Sequence, residues 1–337
     1  MKRIGIICPS EIAFRRFLPA LKEAGCFEYA GVAIANKKEF VGATDEILAK
    51  ERAKAQSFVD SYGGKIYEGY KTLIHSDEVD AIYLPLPPGL HYKWAKETLA
   101  AGKHILCEKP CTTALTNTED LLKDADEKGL AAHENYMFAF HDQLWAVNDI
   151  LRSGEIGDVR LYRISFGFPM RAQNDFRYNK ALGGGALLDC GGYTLKYASI
   201  LLGPNTQLKY AQSNYIDGFK VDMYGSAALV NDEGVTAQVA FGMDHNYKCE
   251  LEVWGSKGTI YTNRILTAPA GFVPEVIIRK GNEEEKRNLP ADDAFKKSIL
   301  HFSKCIEDAE TRKANYETLL RQARLVEQFK ELSGLNS

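Results

Sequence analysis

The sequence predicts an α/β protein: an N-terminal doubly wound parallel sheet, then an α+β domain built on a largely antiparallel, open sheet. Three observations carry this. Short apolar strands alternate with amphipathic helices over residues 1–136, the pattern of a parallel sheet covered on both faces. Beyond that point strands follow one another across turns, which indicates antiparallel pairing. The length of 337 residues suits two domains of roughly 150 residues, placed at 1–136 and 137–337.

The elements follow in order. Lys2–Cys8 reads as a strand, and Glu11–Ala24 carries Ile12, Phe14, Leu18 and Leu21 at helical spacing. Tyr29–Ala35 is a second strand, and Asp45–Tyr62 a helix stopped by Gly63-Gly64. Asp80–Leu84 runs into a proline-rich turn (Pro85, Pro87, Pro88), then come a helix at His91–Ala101 and a strand at His104–Cys107. Asn117–Lys128 is a helix and Leu130–Asn135 a strand. In the second domain a helix at Gln143–Arg152 and another opening near Gly183 frame strands at Val159–Phe168, Gln207–Ile216, Val221–Val230, Val235–Phe241 and Cys249–Trp254. Two helices close the chain over Ala291–Ser333.

Composition narrows the function. Apolar residues make up 45% and charged ones 26%, as in folded globular proteins. The 42 basic and 45 acidic residues leave a net charge of −3, which argues against gripping nucleic acid or an anionic membrane through bulk charge. Apolar runs stay far below the roughly 18 residues of a membrane span, and Pro9 cuts short the apolar start. The seven cysteines form no Cys-x-x-Cys pair and the seven histidines are scattered, so reduced thiols, a cytoplasmic setting and no metal site are expected.

Four places could carry chemistry. The turn after the first strand, Cys8-Pro9-Ser10-Glu11-Ile12-Ala13, stands where a dinucleotide-binding domain has Gly-x-Gly-x-x-Gly/Ala; only the last small residue survives. Alone it reads equally well as an ordinary turn with a serine cap. The second strand ends at Asn36-Lys37-Lys38. An NAD-selective site places a carboxylate there, whereas NADP needs a cation for its 2′-phosphate. Glu108-Lys109-Pro110 follows directly on a strand, at the end where ligands bind in such folds. Finally, Gly183-Gly184-Gly185 opens a helix on which Asp189 and Tyr193 stand four residues apart, on one face. An acid, a phenol and a lysine meeting in one cleft would make a proton-transfer set.

Glu108-Lys109-Pro110, together with the three glycines, Asp189 and Tyr193, resembles the glucose–fructose oxidoreductase / inositol dehydrogenase / MocA (Gfo/Idh/MocA) family. The stretches Tyr83–His91 and Gly102–Cys107 match that family's approach to its lysine. The resemblance spans the chain and implies a Rossmann domain that binds NAD(P), with substrate between it and the second domain. It assigns catalysis to Lys109, Asp189 and Tyr193. Cofactor contacts are expected at Pro9, Ser10, Ile12, Asn36, Lys37, Lys38, Leu84, Pro85, Leu86, His91, Glu108 and Lys109. Substrate contacts are expected at Tyr136, Arg171, Arg177, Asp189 and Tyr193. The tyrosine variant looks like the subgroup with glucose–fructose oxidoreductase, dihydrodiol dehydrogenase and nucleotide-sugar ketoreductases. Departures are the missing Gly-x-Gly turn, an insertion around 39–50, and Ala139 and Asp142 where relatives have Arg and Pro.

The expected activity is therefore hydride transfer between NADP(H), preferred over NAD(H), and a hydroxyl or keto carbon of a sugar or nucleotide sugar. An NAD-linked polyol dehydrogenase and a non-catalytic dinucleotide-binding regulator are the alternatives. A homo-dimer or homo-tetramer is expected through the C-terminal sheet, whose apolar strands between Val221 and Trp254 have no evident covering helix.

Overall fold

The computed structural model describes residues 1–40 and 42–335. In chain order the first part runs β1 (Lys2–Ile7), α1 (Leu18–Ala24), β2 (Phe27–Ile34), α2 (Asp45–Tyr62), β3 (Lys65–Glu68), α3 (Tyr70–Ile74), β4 (Ala81–Leu84), α4 (Pro88–Ala100), β5 (His104–Cys107), α5 (Leu115–Glu127) and β6 (Ala132–Glu134). The strands make one parallel sheet in the order β3-β2-β1-β4-β5-β6. The chain winds outward from β1 through β3, returns to β4, and continues through β6 on the other side. The strand order thus reverses between β1 and β4, and the crevice beyond their carboxyl ends is where a doubly wound sheet receives its ligand. The insertion read around 39–50 includes Val41, which lies outside the described residues.

The second part comprises α6 (Asp142–Arg152), β7 (Val159–Gly167), α7 (Gly192–Leu202), β8 (Gln207–Asn214), β9 (Tyr224–Val230), β10 (Thr236–Gly242), β11 (Lys248–Gly255), β12 (Thr259–Asn263), β13 (Glu275–Lys280) and β14 (Glu283–Asn288), with α8 (Ala294–Glu307) and α9 (Ala309–Ser333) closing the chain. Its eight strands run β14-β13-β12-β11-β7-β10-β9-β8. Every pairing is antiparallel except that of β10 with β7.

Packing divides the chain into two units, one of Met1–Asn135 with Phe295–Leu320, the other of Tyr136–Ala294 with the chain from Arg321 onward. The closing helices, read from sequence as part of the second domain, thus contribute to the first as well. Tyr316 and Leu319 of α9 join Ile82, Leu84, Ile105, Trp94, Leu99 and Leu121 in its core.

In the second unit α7 packs against β7 and β10, and Phe329 of α9 lies tilted against Phe241 with ring centroids 5.5 Å apart. Together they cover the sheet face bearing Ala227, Leu229, Val239, Phe241, Leu251 and Val253, all buried. That corrects the expectation of an uncovered apolar sheet: strand alternation sends those side chains to the helix side. The opposite face carries Arg163, Gln238 and Glu252 beside Tyr224 and Trp254, which is 41% exposed. Among the described residues no helix is long and apolar enough to cross a membrane.

Candidate functional site

At the carboxyl end of β1 the backbone turns at Cys8, a non-glycine residue with φ +75°. The glycine missing from the expected phosphate-binding turn is therefore replaced by a cysteine held in a glycine's conformation, which costs about 1 kcal/mol or more. Its N–H donates to Ala33 O at 3.0 Å, tying the turn to β2. Burial pushes the thiol up to about 12, so it stays protonated. Pro9 is buried, Ile12 is half-buried, and Ser10 Oγ accepts from Ala13 N–H at 3.2 Å, the capping role its type favours.

The end of β2 is shaped by a residue that sequence reasoning did not assign. Glu39 accepts backbone N–H groups from Asn36 at 3.0 Å, Tyr70 at 2.9 Å and Lys71 at 2.9 Å. Its carboxylate caps the start of α3 and is consumed there. Asn36 Oδ1 takes the N–H of Lys38 at 2.9 Å and of Glu39 at 3.1 Å, closing a tight loop. Lys37 and Lys38 project from it exposed, Lys37 pairing with Asp45 at 2.6 Å. This loop offers cations where a ribose-binding carboxylate would stand.

At the ends of β4 and β5, Leu84, Pro85 and Leu86 are buried. The Lys109–Pro110 peptide is cis. Glu108 Oε1 accepts from Tyr83 OH at 2.6 Å and from Asn135 Nδ2 at 2.7 Å. Burial raises the Glu108 carboxyl, and these two donors oppose the shift. The network continues inward: Ser298 Oγ donates to Asn135 Oδ1 at 2.8 Å and lies 2.9 Å from His133 Nε2. Lys109, next in the chain, is half-buried.

His91 differs from its expected role. The ring is fully enclosed, with Nδ1 2.8 Å from Pro110 O and Nε2 2.6 Å from Leu86 O. No ring atom is left to meet a cofactor; the imidazole instead bridges the loops after β4 and β5. Burial pulls its pKa down to about 4. At neutral pH it therefore donates to one carbonyl only.

In the second unit the glycine loop leads into a π-helical turn at Leu187–Gly191 and then α7. Widened turns of this kind are frequent at functional positions, and this one carries Asp189. Its start is fixed by Asp222, whose Oδ2 accepts from Leu187 N–H at 2.6 Å while its backbone O accepts from Ala186 N–H at 2.8 Å. A Cβ on Gly185, which has φ +124°, would lie 2.2 Å from Asp222 Oδ1, so only glycine fits there. Burial lifts the Asp222 carboxyl to about 6. A lone acid between Val221 and Met223 was the sequence signal for it.

Tyr193, 8% exposed, stands edge-on to Tyr136 with ring centroids 5.1 Å apart. Tyr136 is 1% exposed, and Gln322 Nε2 donates to its hydroxyl at 3.4 Å and to Gly192 O at 2.8 Å. Arg177, expected at the substrate, donates from Nε to Asp189 Oδ2 at 2.7 Å. Arg171 is exposed and lies over Phe168, 5.3 Å from the ring centroid. A cavity of about 690 Å³ in this unit is lined by Asn174, Tyr178, Lys180, Asp217, Phe219 and Lys220, among others. Among the described residues no group of three or more His, Cys, Asp or Glu side chains could hold a metal ion.

Comparison with known proteins agrees with this fold. Residues 5–136 match the profile described as "Oxidoreductase family, NAD-binding Rossmann fold", and residues 144–261 the "GFO/IDH/MocA C-terminal domain". A dTDP-3,4-didehydro-2,6-dideoxy-alpha-D-glucose 3-reductase of Actinomadura kijaniata is 39% identical over 325 residues, 96% of this chain and 93% of that one. A D-xylose 1-dehydrogenase (NADP(+)) of Haloferax volcanii is 25% identical over 329 residues, covering 97% of this chain and 96% of the other. A solved 3-ketoreductase from A. kijaniata, in complex with NADP and TDP-benzene, superposes with a TM-score of 0.90 at 38% identity, over 98% of this chain and 97% of its own. With both parts matched and close relatives aligned end to end, the chain belongs to the Gfo/Idh/MocA family of oxidoreductases.

Proposed function

We propose that this protein is an NADPH-dependent ketoreductase that converts the keto carbon of a TDP-linked deoxysugar to a hydroxyl. The observation that carries the proposal is the pair formed by Asp189 and Tyr193, a carboxylate and a phenol on one helix whose start is clamped by Asp222. A 39% identical relative reduces such a sugar, and a 38% identical one was solved with NADP and TDP-benzene, which supports the substrate and cofactor assignment.

The residues present fit NADP(H). With Glu39 consumed by three backbone donors, Lys37, Lys38 and Asn36 would meet the 2′-phosphate, while the Cys8–Ile12 turn and the loops at Leu84–Leu86 and Glu108–Lys109 would line the rest. When bound, this cofactor supplies the hydride that reduces the carbonyl carbon. Tyr193 gives its phenolic proton to the carbonyl oxygen, which becomes the new hydroxyl, and the phenolate regains a proton from water. Lys109, the cation that the family resemblance places in the catalytic set, would assist that proton transfer. Asp189 accepts from a sugar hydroxyl and orients the ring. The cavity beside Tyr178 and Phe219 suits the nucleotide, with rings for the base and Lys180 and Lys220 for the diphosphate.

The test is a comparison of kcat/KM for the TDP-linked ketosugar with that for the same ketosugar without the nucleotide. A strong preference for the nucleotide-linked form is expected; a preference for a free polyol oxidised with NAD would favour the dehydrogenase reading instead. NADPH is expected to bind at least tenfold more tightly than NADH, and Lys37→Ala with Lys38→Ala to erase most of the difference (about 1.4 kcal/mol per tenfold). Equal affinities in a fluorescence titration of the unmodified protein would defeat that assignment.

Copies are proposed to pair through the open face of the eight-stranded sheet, where Trp254 and Tyr224 stand exposed among charged residues. Sedimentation is expected to give a dimer or tetramer that Trp254→Glu shifts toward monomer. A cytoplasmic setting is proposed as well, because all seven cysteines remain thiols.

A further inference from the structure

We propose that Arg177 is a positioning residue for Asp189, acting on the reaction only through that carboxylate; this rests on the role given to Asp189 above. Arg177 is held at both ends. Its backbone O accepts Gly185 N–H at 2.9 Å, and its own N–H donates to Asp175 Oδ1 at 3.0 Å. Gly184 lets the two strands of this loop approach: a Cβ there would lie 2.4 Å from Arg177 O. The guanidinium donates from Nε to Asp189 Oδ2 at 2.7 Å and from Nη1 to Asp175 Oδ1 at 3.1 Å. It also lies over the Phe176 ring, 4.6 Å from the centroid.

The three charged side chains are largely withdrawn from water, at 21%, 20% and 12% exposure for Arg177, Asp175 and Asp189. Such a pair is screened little and is geometrically demanding. Asp189 is thus aimed twice, by the turn that Asp222 clamps and by a guanidinium that fixes the plane of its carboxylate through Oδ2. Asp175 takes the other edge of the fork and stops the arginine from turning away. A guanidinium committed to two carboxylates is poorly placed to make the direct substrate contact expected of Arg177.

The experiment is steady-state kinetics with NADPH and the TDP-linked ketosugar for Arg177→Gln, Arg177→Lys, Asp189→Asn and the double variant Arg177→Gln/Asp189→Asn. NADPH affinity and the thermal midpoint are measured alongside. Arg177→Gln is expected to lower kcat by about 10–100-fold, the cost of a misplaced group near the chemistry, with KM for the sugar nucleotide raised no further than in Asp189→Asn. Arg177→Lys should recover part of the loss. The double variant should be no slower than Asp189→Asn alone, because the two residues act as one unit.

A raised KM at unchanged kcat would overturn the proposal in favour of direct anion binding. Losses that multiply in the double variant would overturn it too, leaving the Asp189 role standing. Wild-type turnover in Asp189→Asn would overturn both, and that arm alone identifies this case. Should Arg177→Gln fail to fold, Arg177→Lys and Asp175→Asn decide the matter by the same split: lowered kcat with KM raised no further than in Asp189→Asn supports positioning, raised KM at constant kcat refutes it.

Discussion

Tyr193→Phe is expected to lower turnover by about 10²–10⁴-fold, the usual contribution of a general acid, while NADPH affinity stays within about twofold. The substitution removes one hydroxyl from a ring packed edge-on against Tyr136 and at 5.4 Å from Phe166, so the helix and its neighbours keep their places. Lys109→Ala should cost at least as much, because it removes the cation proposed to assist proton transfer and alters the strand end next to Glu108. Single-turnover measurements separate binding from chemistry: both variants should bind NADPH, and both should be slow in the chemical step. A Tyr193→Phe enzyme with wild-type turnover would show that the proton comes from another donor.

His91→Asn is expected to have the largest effect on stability and on its pH dependence. The imidazole is enclosed between two carbonyls, and burial holds its pKa near 4. An unfolded histidine binds its proton at about 6.5. Between those values the unfolded chain carries a proton that the folded chain refuses, so stability falls as pH drops from about 6.5 to 4. The slope is about 1.4 kcal/mol per pH unit, a total near 3 kcal/mol.

His104, whose pKa burial also lowers to about 4, adds in the same direction. Asp222 opposes them. Its carboxyl is raised to about 6, so the folded chain keeps a proton that the unfolded chain loses near 3.9, and its contribution declines as pH rises through that window. The net acid-side loss is therefore about that of one histidine. His91→Asn should flatten the pH profile by one proton and lower neutral-pH stability by about 1–3 kcal/mol, since a buried carbonyl loses its donor. Urea unfolding midpoints measured from pH 4 to 7 test this; parallel profiles for the two proteins would contradict it.

Much of the fold was legible because parallel strands buried on both faces are apolar runs, and the first unit's helices end at glycines that have positive φ, such as Gly63, Gly102 and Gly129. What escaped was short or charged. β3 is the four-residue Lys65-Ile66-Tyr67-Glu68 and α3 only five residues, too brief for a period to show. β14, Glu283–Asn288, has no apolar side chain at all; it is a charged edge strand, specified by pairing with β13 and protected from further pairing by its charge.

The site divided along a similar line. Lys109, Asp189 and Tyr193 stood out as candidates because glycines, a proline and a strand end mark their places. Partnerships were not. A separation of twelve positions between Arg177 and Asp189 does not reveal that one holds the other. A histidine among prolines looks like a ligand until its ring is found walled in. Glu39 could be read as a solvated loop residue because its three donors come from backbone, which leaves no mark on side-chain identity.

The central claim is that this chain passes a hydride to a sugar carbonyl from NADPH. The direct measurement is mass spectrometry of the sugar nucleotide recovered after incubating the protein with NADPH deuterated at its transferable position and the TDP-linked ketosugar. A reduced product carrying a single deuterium on the former carbonyl carbon is expected. NADPH that binds tightly yet leaves the ketosugar unreduced, or a reduced product without deuterium, would contradict it.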